Sequence, residues 1–225
     1  MGKIHGVNLG NWLVLEKWMH PALFEGVAAE DETDLCRLLP RDELEARLKK
    51  HRDTYITLED FKWIKAHGLN TVRIPVPHFI FGDDPAFCDP YVPCIEYLDK
   101  AFGWAEETGL QILIDLHTAP DSQNGFDNGG ICGVCKFWQK PENEARVIKV
   151  LGMLSERYAH RPALFGVQIL NEPISPELWQ HTVNRYLPSD PEYAAGSGPV
   201  PFEFLCSFYK KAYFEIRKTS TRIRS

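Results

Sequence analysis

The chain has 225 residues, a length that fits one domain with a sizeable core. Hydrophobic residues make up 44% and charged residues 25%, as in globular proteins, and no apolar run reaches the length of a membrane span. The net charge of −6 disfavours nucleic acid and anionic membranes as partners. No leader-like segment precedes Val7, so we expect either a cytoplasmic protein or the mature form of a secreted one.

Four apolar runs of strand length alternate with amphipathic patterns of helix length. Gly68 and Gly109 follow two helix candidates as stop signals, and Pro141 enters another at its first turn. This order predicts an α/β domain with parallel strands, without a linker in residues 1–225. The strand candidates are residues 4–9, 69–75, 110–116 and 163–170, and the helix candidates are residues 58–67, 95–108, 142–160 and 202–218.

The segment after the first strand candidate carries Trp12, Glu16 and Trp18. The six Trp residues of the chain suit the apolar faces of pyranose rings, although large cores use Trp as well. Glu16 is therefore a candidate acceptor for ligand hydroxyls. The alternative is a solvated Glu beside Lys17.

Arg73 lies inside the second strand candidate, which Pro75 is expected to end. A cation in an apolar strand is costly unless it is paired. We expect Arg73 beneath carboxylates at the carboxyl end of the sheet, where it keeps one of them ionised. The alternative, a surface Arg on an edge strand, is disfavoured by the apolar neighbours Val72 and Ile74.

His117 follows the third strand candidate and begins a segment that becomes very polar over residues 121–130. So many donors and acceptors around one aromatic residue, Phe126, suit a polyhydroxylated ligand. His117 is a candidate to orient a substrate or a carboxylate. The alternatives are a satisfied core His and an ordinary turn rich in Gly and Asn.

The fourth strand candidate ends in Asn171-Glu172-Pro173. Its branched residues fit a buried parallel strand, and Pro173 prevents extension of the ladder. Barrels of alternating strands and helices carry their chemistry at this end of their strands. A carboxyl half-buried there has a raised pKa, as a general acid needs. A strand-capping Glu beside a turn Pro fits the same three residues equally well.

Four of the six cysteines follow the second and third strand candidates: Cys88, Cys94, Cys132 and Cys135. Thiolates at one rim of a sheet can bind zinc or form disulfides in an oxidising compartment. The spacing between Cys88 and Cys94 is not a usual zinc pairing, so we expect reduced thiols and no metal. A redox role for Cys132 and Cys135 is disfavoured because they do not open a helix after a strand.

Several segments together resemble glycoside hydrolase family 5, and within it the exo-β-1,3-glucanase branch. Their order and spacing cover nearly the whole chain. The Asn-Glu-Pro segment is shared by the wider family of retaining β-glycosidases. The segments at 10–16 and 122–130 are more specific to exo-glucanases. The segments are Gly-Asn-Trp-Leu-Val-Leu-Glu at 10–16, Val-Arg-Ile-Pro at 72–75, Asp-Leu-His at 115–117, Ser-Gln-Asn-Gly-Phe-Asp-Asn-Gly-Gly at 122–130 and Ile-Leu-Asn-Glu-Pro at 169–173.

The resemblance implies a (β/α)8 TIM barrel and a retaining hydrolase of β-glucan that needs no cofactor or metal. It assigns Glu172 as the acid/base, and Asn171 as the partner of the sugar 2-hydroxyl. It makes Arg73 and His117 supports of the reacting centre. Four further residues would contact substrate: Glu16, Asp127 and Asn128 at the terminal glucose, and Phe126 as one aromatic wall of the next sugar site.

The chain contains about four of the eight βα units that the resemblance implies. The nucleophile Glu and the second aromatic wall of the family belong to later strands, and Glu177 and Glu203 do not sit in a matching motif. We expect a catalytic domain truncated before strand five. Two other accounts stay open: half-barrels that self-associate through open edges, and a non-catalytic sugar-binding half-barrel. The choice between β-1,3-glucan and a cellulase-type β-1,4-glucan also stays open.

Overall fold

The structure, a computed structural model, describes residues 3–219. Its centre is one sheet of parallel strands in the order β1-β2-β3-β4. This arrangement confirms the α/β class with parallel strands. The strands are β1 (Gly6–Asn8), β2 (Thr71–Val76), β3 (Gln111–Leu116) and β4 (Leu164–Gln168).

Helices connect successive strands and pack beside them. In chain order they are α1 (Glu32–Leu38), α2 (Arg41–Thr54), α3 (Leu58–Ala66), α4 (Pro85–Cys88), α5 (Ile95–Thr108), α6 (Pro141–Tyr158), α7 (Pro176–Arg185), α8 (Pro191–Ala194) and α9 (Phe202–Thr219). Helices α3, α5, α6 and α9 correspond to the helix candidates of the sequence. Each of these elements lies within a few residues of its expected position.

The main core lies between the sheet and helices α3, α5, α6 and α9. Alternate side chains of β2, those of Val72, Ile74 and Val76, are fully buried in it. Side chains of a strand alternate between its two faces, so Arg73 points to the opposite face of the sheet. Helix α6 packs along α9, and α3 packs against α5. The sheet therefore separates an apolar helical layer from a polar inner face.

The helix signals of the sequence act as expected around α3 and α5. At the start of α3, the Asp60 carboxylate accepts the backbone N–H of Thr57 at 2.7 Å. Gly68 and Gly109, with φ of +82° and +70°, adopt the left-handed backbone that ends these helices. These local signals determine where each helix ends before the next strand begins.

The expectation that Pro75 ends the second strand is wrong, because β2 continues to Val76. The last bond to β1 runs from the Leu9 N–H to the Arg73 carbonyl at 2.8 Å, and Val76 accepts from His117 on the β3 side at 2.9 Å. The backbone N–H and C=O groups of alternate strand residues point to opposite neighbouring strands, so those positions of Pro75 point towards β1. Pro75 lies beyond Arg73, the last residue of β2 that is hydrogen-bonded to β1. Its missing N–H therefore breaks no ladder bond.

Sequence patterns missed helices α1 and α2, which form a second layer under the loop after β1. Helix α2 buries Leu44 and Leu48 but also His51 and Arg52. Its buried stripe is therefore too polar to stand out as an apolar periodicity. A second apolar cluster joins these helices to the loop and contains Leu15, Leu23, Phe24, Ala29, Leu35, Cys36, Leu44 and Leu48.

A buried carboxylate, that of Glu32, lies under the same loop. Its Oε2 accepts the backbone N–H of Leu15 at 3.1 Å, and its Oε1 lies 4.0 Å from Arg52 Nη2. Desolvation raises the pKa of Glu32 to about 7, although the charge of Arg52 opposes this rise. The folded protein therefore keeps a proton on Glu32 at pH values where the unfolded chain has released it.

We expect this group to lower stability as the pH rises from about 4.5 to about 7, because the folded state holds the proton more tightly. The rise in the pKa of Glu32 from 4.5 to about 7 corresponds to about 3 kcal/mol. The free energy of unfolding of Glu32→Gln, relative to the wild type, should increase by that amount over the interval. Urea unfolding across this pH range measures the difference. Glu30→Gln, at an exposed position, is the matched control, and a difference that does not vary with pH would contradict the argument.

The six cysteines are free thiols in the structure. Burial raises the pKa of the Cys94 and Cys135 thiols to about 12 and also raises the pKa of Cys88 and Cys132. Thiols that resist ionisation are poor metal ligands and poor nucleophiles. Residues 3–219 contain no group of three or more His, Cys, Asp or Glu side chains that could hold a metal ion. No helix in that range has the length and apolar character to cross a membrane.

Candidate active site

Arg73 connects all four strands on the inner face of the sheet. Its Nη1 donates to Asn8 Oδ1 of β1 at 2.9 Å, and its Nε donates to Gln168 Oε1 of β4 at 2.9 Å. Its Nη2 lies 2.9 Å from Asp115 Oδ2 of β3 and donates to Asn171 Oδ1 at 2.7 Å. The arginine is therefore paired and internal, and the alternative of a surface Arg on an edge strand is wrong.

Asp115 is the fully buried anion of this network. Its Oδ2 is shared between the Arg73 guanidinium and His117 Nδ1, which lies 2.5 Å away. His117 Nε2 lies 3.4 Å from Asn171 Nδ2 on the other side of the ring. His117 is thus buried and held at both nitrogens, with one of them next to Asn171. The network fixes the orientation of the Asn171 amide.

Gln123 joins the loops that follow β3 and β4. Its Nε2 donates to the carbonyls of His117 and Asn171, each at 2.8 Å, and its Oε1 accepts the Ala119 N–H at 3.0 Å. Its backbone carbonyl also accepts the Ile174 N–H at 3.0 Å. One buried amide therefore positions the chain on both sides of Glu172. Sequence patterns did not single out this residue.

Glu172 follows Asn171 with a left-handed backbone, at φ of +45°. This conformation is uncommon for a residue other than glycine. The Glu172 side chain is exposed, so the expected half-buried carboxyl is not found. The physical reason is that β4 ends at Gln168, and the chain then turns the side chain out of the sheet towards the loop after β3. There Asn128 Nδ2 donates to Glu172 Oε2 at 3.1 Å.

The loop over residues 121–130 is an ordered structure built on internal hydrogen bonds. Ser122 Oγ accepts the Gly125 N–H at 3.0 Å, and Asn124 Oδ1 accepts the Phe126 N–H at 2.9 Å. Asn124 Nδ2 donates to Asn128 Oδ1 at 3.2 Å. Polar side chains of the loop therefore hold Phe126 in place and position Asn128 beside Glu172.

Gly129 is required for this packing. A Cβ at this position would lie 2.2 Å from Asn124 Oδ1 and 2.4 Å from Ser122 Oγ. We expect Gly129→Ala to displace these side chains and to lower the free energy of unfolding by about 1–3 kcal/mol. Urea unfolding measures the effect.

Gly103→Ala is the matched control for this prediction. Gly103 lies in α5 and has no heavy atom within 4 Å of an added Cβ. Alanine should stabilise the helix there by about 0.5–1 kcal/mol. An equal effect of the two substitutions would contradict the role given to Gly129.

Glu16 and Asp127 lie on the same edge as Glu172. Glu16 is 8% exposed, and Trp18 Nε1 donates to its Oε2 at 3.1 Å. Burial raises the pKa of Glu16, and the charges of Asp127 and Glu172 add to the rise. Burial also raises the pKa of Asp127, with Glu172 contributing in the same direction. These carboxyls are therefore electrostatically coupled neighbours.

The alternative interpretation of Glu16, a solvated side chain beside Lys17, is wrong. Lys17 instead pairs with Glu30 at 2.6 Å and donates to the Ala29 carbonyl at 2.8 Å. Glu16 turns to the polar inner face, and its backbone N–H donates to Asn11 Oδ1 at 2.7 Å.

The structure gathers the sequence-predicted residues at the carboxyl ends of the strands and in the loops that follow. They are Glu16, Arg73, His117, Phe126, Asp127, Asn128, Asn171 and Glu172. Sequence reasoning did not identify Asn8, Gln168 and Gln123 as partners of this group. Asn8 and Gln168 could have been found, because each is a polar residue at the end of a strand.

A family model described as cellulase, glycosyl hydrolase family 5, matches residues 45–188. The chain belongs to glycosyl hydrolase family 5. This confirms the resemblance carried by the sequence segments. The matched range includes Arg73, His117 and Glu172 but not Glu16.

Curated relatives agree with this membership. "Probable glucan 1,3-beta-glucosidase A" of Aspergillus niger is 42% identical over 176 residues, which are 77% of this chain and 42% of that protein. "Glucan 1,3-beta-glucosidase" of Pichia angusta is 38% identical over 222 residues, which are 96% of this chain and 46% of that protein. The chain therefore spans less than half the length of these relatives.

A solved structure, that of rutinosidase from Aspergillus niger, shares the fold. It has a TM-score of 0.80 at 20% identity and covers 98% of this chain and 61% of its own. The four βα units of this family 5 chain are thus part of a TIM barrel. Within residues 3–219, β1 is hydrogen-bonded to β2 and β4 to β3, which leaves the outer edges of β1 and β4 open.

Proposed function

We propose that this chain is the acid/base half of a retaining β-glucan hydrolase, with Glu172 as the proton donor. The observation that carries the proposal is the position of Glu172. It follows the Asn171 amide, which Arg73 and His117 hold, and it receives a hydrogen bond from Asn128 at 3.1 Å. A carboxyl beside fixed amides suits protonation of a glycosidic oxygen.

A retaining reaction needs two carboxyl groups roughly 5–5.5 Å apart. Glu172 gives its proton to the glycosidic oxygen while the bond from that oxygen to C1 breaks and the second carboxylate bonds to C1. Water then bonds to C1 and gives a proton to Glu172, while the bond from C1 to the second carboxylate breaks and the sugar is released. Glu16 and Asp127 do not match the motif of the family's second carboxylate, and we propose other roles for them below. We therefore assign the nucleophile to a later strand.

The other site residues take roles in binding. Asn171 is proposed to hydrogen-bond the sugar 2-hydroxyl, since its amide is fixed by Arg73 and His117. Glu16, Asp127 and Asn128 are proposed to hold hydroxyls of the terminal glucose. Carboxyl oxygens accept hydrogen bonds and the Asn128 amide both donates and accepts, as a polyhydroxylated ligand requires.

Phe126 is proposed as one wall of the next sugar site. Its ring lies against Tyr186, with the ring centroids 5.1 Å apart. The names of the curated relatives support β-1,3-glucan as the substrate and removal of glucose from the chain end.

The barrel is proposed to be completed by a segment that continues the fold beyond β4. A groove of about 580 Å³ lies along the open edge of β4, between Ile169 and Leu170 on one side and Tyr209 and Tyr213 of α9 on the other. Apolar side chains at an unpaired parallel strand favour such a covering. Pairing of two half-barrels is the competing account, and the oligomeric mass of the 225-residue chain tests it.

The function is tested with a longer protein that carries the whole barrel. We expect it to release glucose from a laminarin-type β-1,3-glucan and to act poorly on a β-1,4-glucan. The 225-residue chain should bind laminari-oligosaccharides without turnover. Absence of hydrolysis by the longer protein on either polymer would contradict the proposal and favour a non-catalytic sugar-binding protein.

A further inference from the structure

Helix α2 is hydrogen-bonded to the loop after β1 at Asn11, five residues before Glu16. His51 of α2 places its ring Nε2 2.7 Å from the Asn11 carbonyl oxygen. A carbonyl oxygen only accepts, so Nε2 carries the proton and donates it to this bond. Both residues are buried. The helix therefore makes a directed contact with the loop beneath the candidate site.

The His51 ring is held in one orientation and one protonation state. Its centroid lies 4.6 Å from that of Tyr55 and 5.4 Å from that of His20. Burial lowers the pKa of His51 to about 4, so the ring is uncharged at neutral pH. A neutral imidazole has one N–H, and the bond to Asn11 uses it.

Asn11 joins this contact to Glu16. Its Oδ1 accepts the Glu16 backbone N–H at 2.7 Å, which closes the turn over residues 11–16. Its backbone is left-handed, with φ of +59°, a conformation that asparagine adopts more readily than most other residues. The carbonyl that His51 holds and the side chain that holds Glu16 belong to the same residue. A rotation of the Asn11 backbone would therefore move Glu16.

The Glu16 carboxyl lies over the backbone of Gly10. A Cβ at Gly10 would be 3.2 Å from Glu16 Oε1 and 3.1 Å from Asn8 Nδ2. Asn8 Oδ1 in turn accepts from Arg73 at 2.9 Å. The carboxyl thus packs on the residue before Asn11 and beside a partner of Arg73. Its place in the candidate site depends on the backbone of this turn.

Helices α1 and α2 make two further bonds to the same loop. Trp12 Nε1 donates to the backbone carbonyl of Arg52 in α2 at 2.9 Å. The Leu15 N–H donates to a carboxylate of α1 at 3.1 Å. In the part of the chain that the structure describes, neither of these loop residues is hydrogen-bonded to Glu16. The His51 bond differs, because its acceptor belongs to the residue that is.

We infer that His51 is a positioning residue of the candidate site, which sets the place of the Glu16 carboxyl through Asn11. The inference rests on the proposed function, because it takes Glu16 as a ligand of the terminal glucose. It gives helix α2 a part in sugar binding, although the candidate site contains no residue of α2. It also accounts for a histidine at a buried position of this helix, where packing alone would favour an apolar side chain.

The experiment titrates the 225-residue chain with laminaribiose and follows the chain by NMR, which also reports the pKa of the Glu16 carboxyl. His51→Leu removes the donor and should weaken binding by about tenfold. His51→Gln should keep the affinity within about twofold, because its amide can place an N–H near the position of Nε2. Leu44→Val, at a buried position two turns earlier in α2, should loosen the helix without changing the affinity.

A double-mutant cycle tests the route through Asn11. Asn11→Gly permits the left-handed backbone but removes Oδ1, so it should also weaken laminaribiose binding. In that background His51→Leu should have little further effect on the affinity, because its contact is no longer passed to Glu16. Additive losses would contradict the route.

The pKa of Glu16 separates the inference from the proposed function. Burial raises this pKa, and we expect His51→Leu to lower it, because a displaced carboxyl is better solvated. If Glu16→Gln weakens laminaribiose binding while His51→Leu changes neither the affinity nor the pKa of Glu16, the inference is wrong and the proposed function stands. If the unsubstituted chain does not bind laminaribiose, the binding role of Glu16 is overturned and the role of His51 falls with it.

Discussion

Glu172→Gln, in a longer protein that carries the whole barrel, is expected to lower the rate on laminaribiose by about 10²–10⁴-fold. The glutamine amide keeps the size of the side chain and its contact with Asn128, but it cannot give a proton to the glycosidic oxygen. Because a poor leaving group needs that proton, the loss should be large on a natural glucoside. It should be much smaller on an aryl glucoside whose leaving group departs without protonation. Steady-state rates on the two substrates measure the contrast.

Glu177→Gln is the matched control for the acid/base assignment. Glu177 lies only a short way along the chain, in the first turn of α7, and its side chain is exposed. We expect this variant to keep the wild-type rate on both substrates. A Glu172→Gln variant that retained full activity on laminaribiose would show that another group supplies the proton.

Arg73→Met is expected to lower the free energy of unfolding of the 225-residue chain by about 3 kcal/mol. Breaking a buried ion pair costs roughly 3–5 kcal/mol, because it leaves the remaining charge without a partner. We take the lower end because the Arg73 side chain is 25% exposed, although Asp115 is fully buried. Methionine keeps much of the apolar stem and removes the charge and the donors. Urea unfolding at neutral pH measures the loss.

Two comparisons separate this effect from a general loss of an arginine. Arg161 is 24% exposed, close to the value for Arg73, but its partner Glu106 is 29% exposed. Arg161→Met should therefore cost no more than about 1 kcal/mol. In an Asp115→Asn background, Arg73→Met should cost less than in the wild type, because no buried carboxylate is left unpaired. Additive effects of the two substitutions would contradict the pairing.

The parallel sheet and its four main helices could be predicted because their signals are local. Apolar runs and the stop residues Gly68 and Gly109 each act within a few residues of the chain. Helix α2 escaped prediction because its contacts are tertiary. The Trp12 indole donates to the Arg52 carbonyl at 2.9 Å, and His51 lies 2.7 Å from the Asn11 carbonyl. Polar residues thus occupy buried positions that periodicity assigns to apolar ones.

The candidate site was predictable in its members but less so in its geometry. Polar residues at strand ends identified Arg73, His117 and Glu172, because parallel strands bring those ends together. The sequence could not indicate that Glu172 turns outwards with a positive φ, since that depends on where β4 ends. Nor could it reveal Gln123, whose partners belong to the backbone and leave no side-chain pattern.

The guanidinium of Arg73 reaches one residue from each of β1, β3 and β4, and all of these partners lie within the first 171 residues. During synthesis the N-terminal part of a chain leaves the ribosome first. The network beside the proposed proton donor can therefore assemble as soon as β4 and the turn after it have emerged. The segment proposed to complete the barrel would then pack against an edge on which the candidate site is already in place.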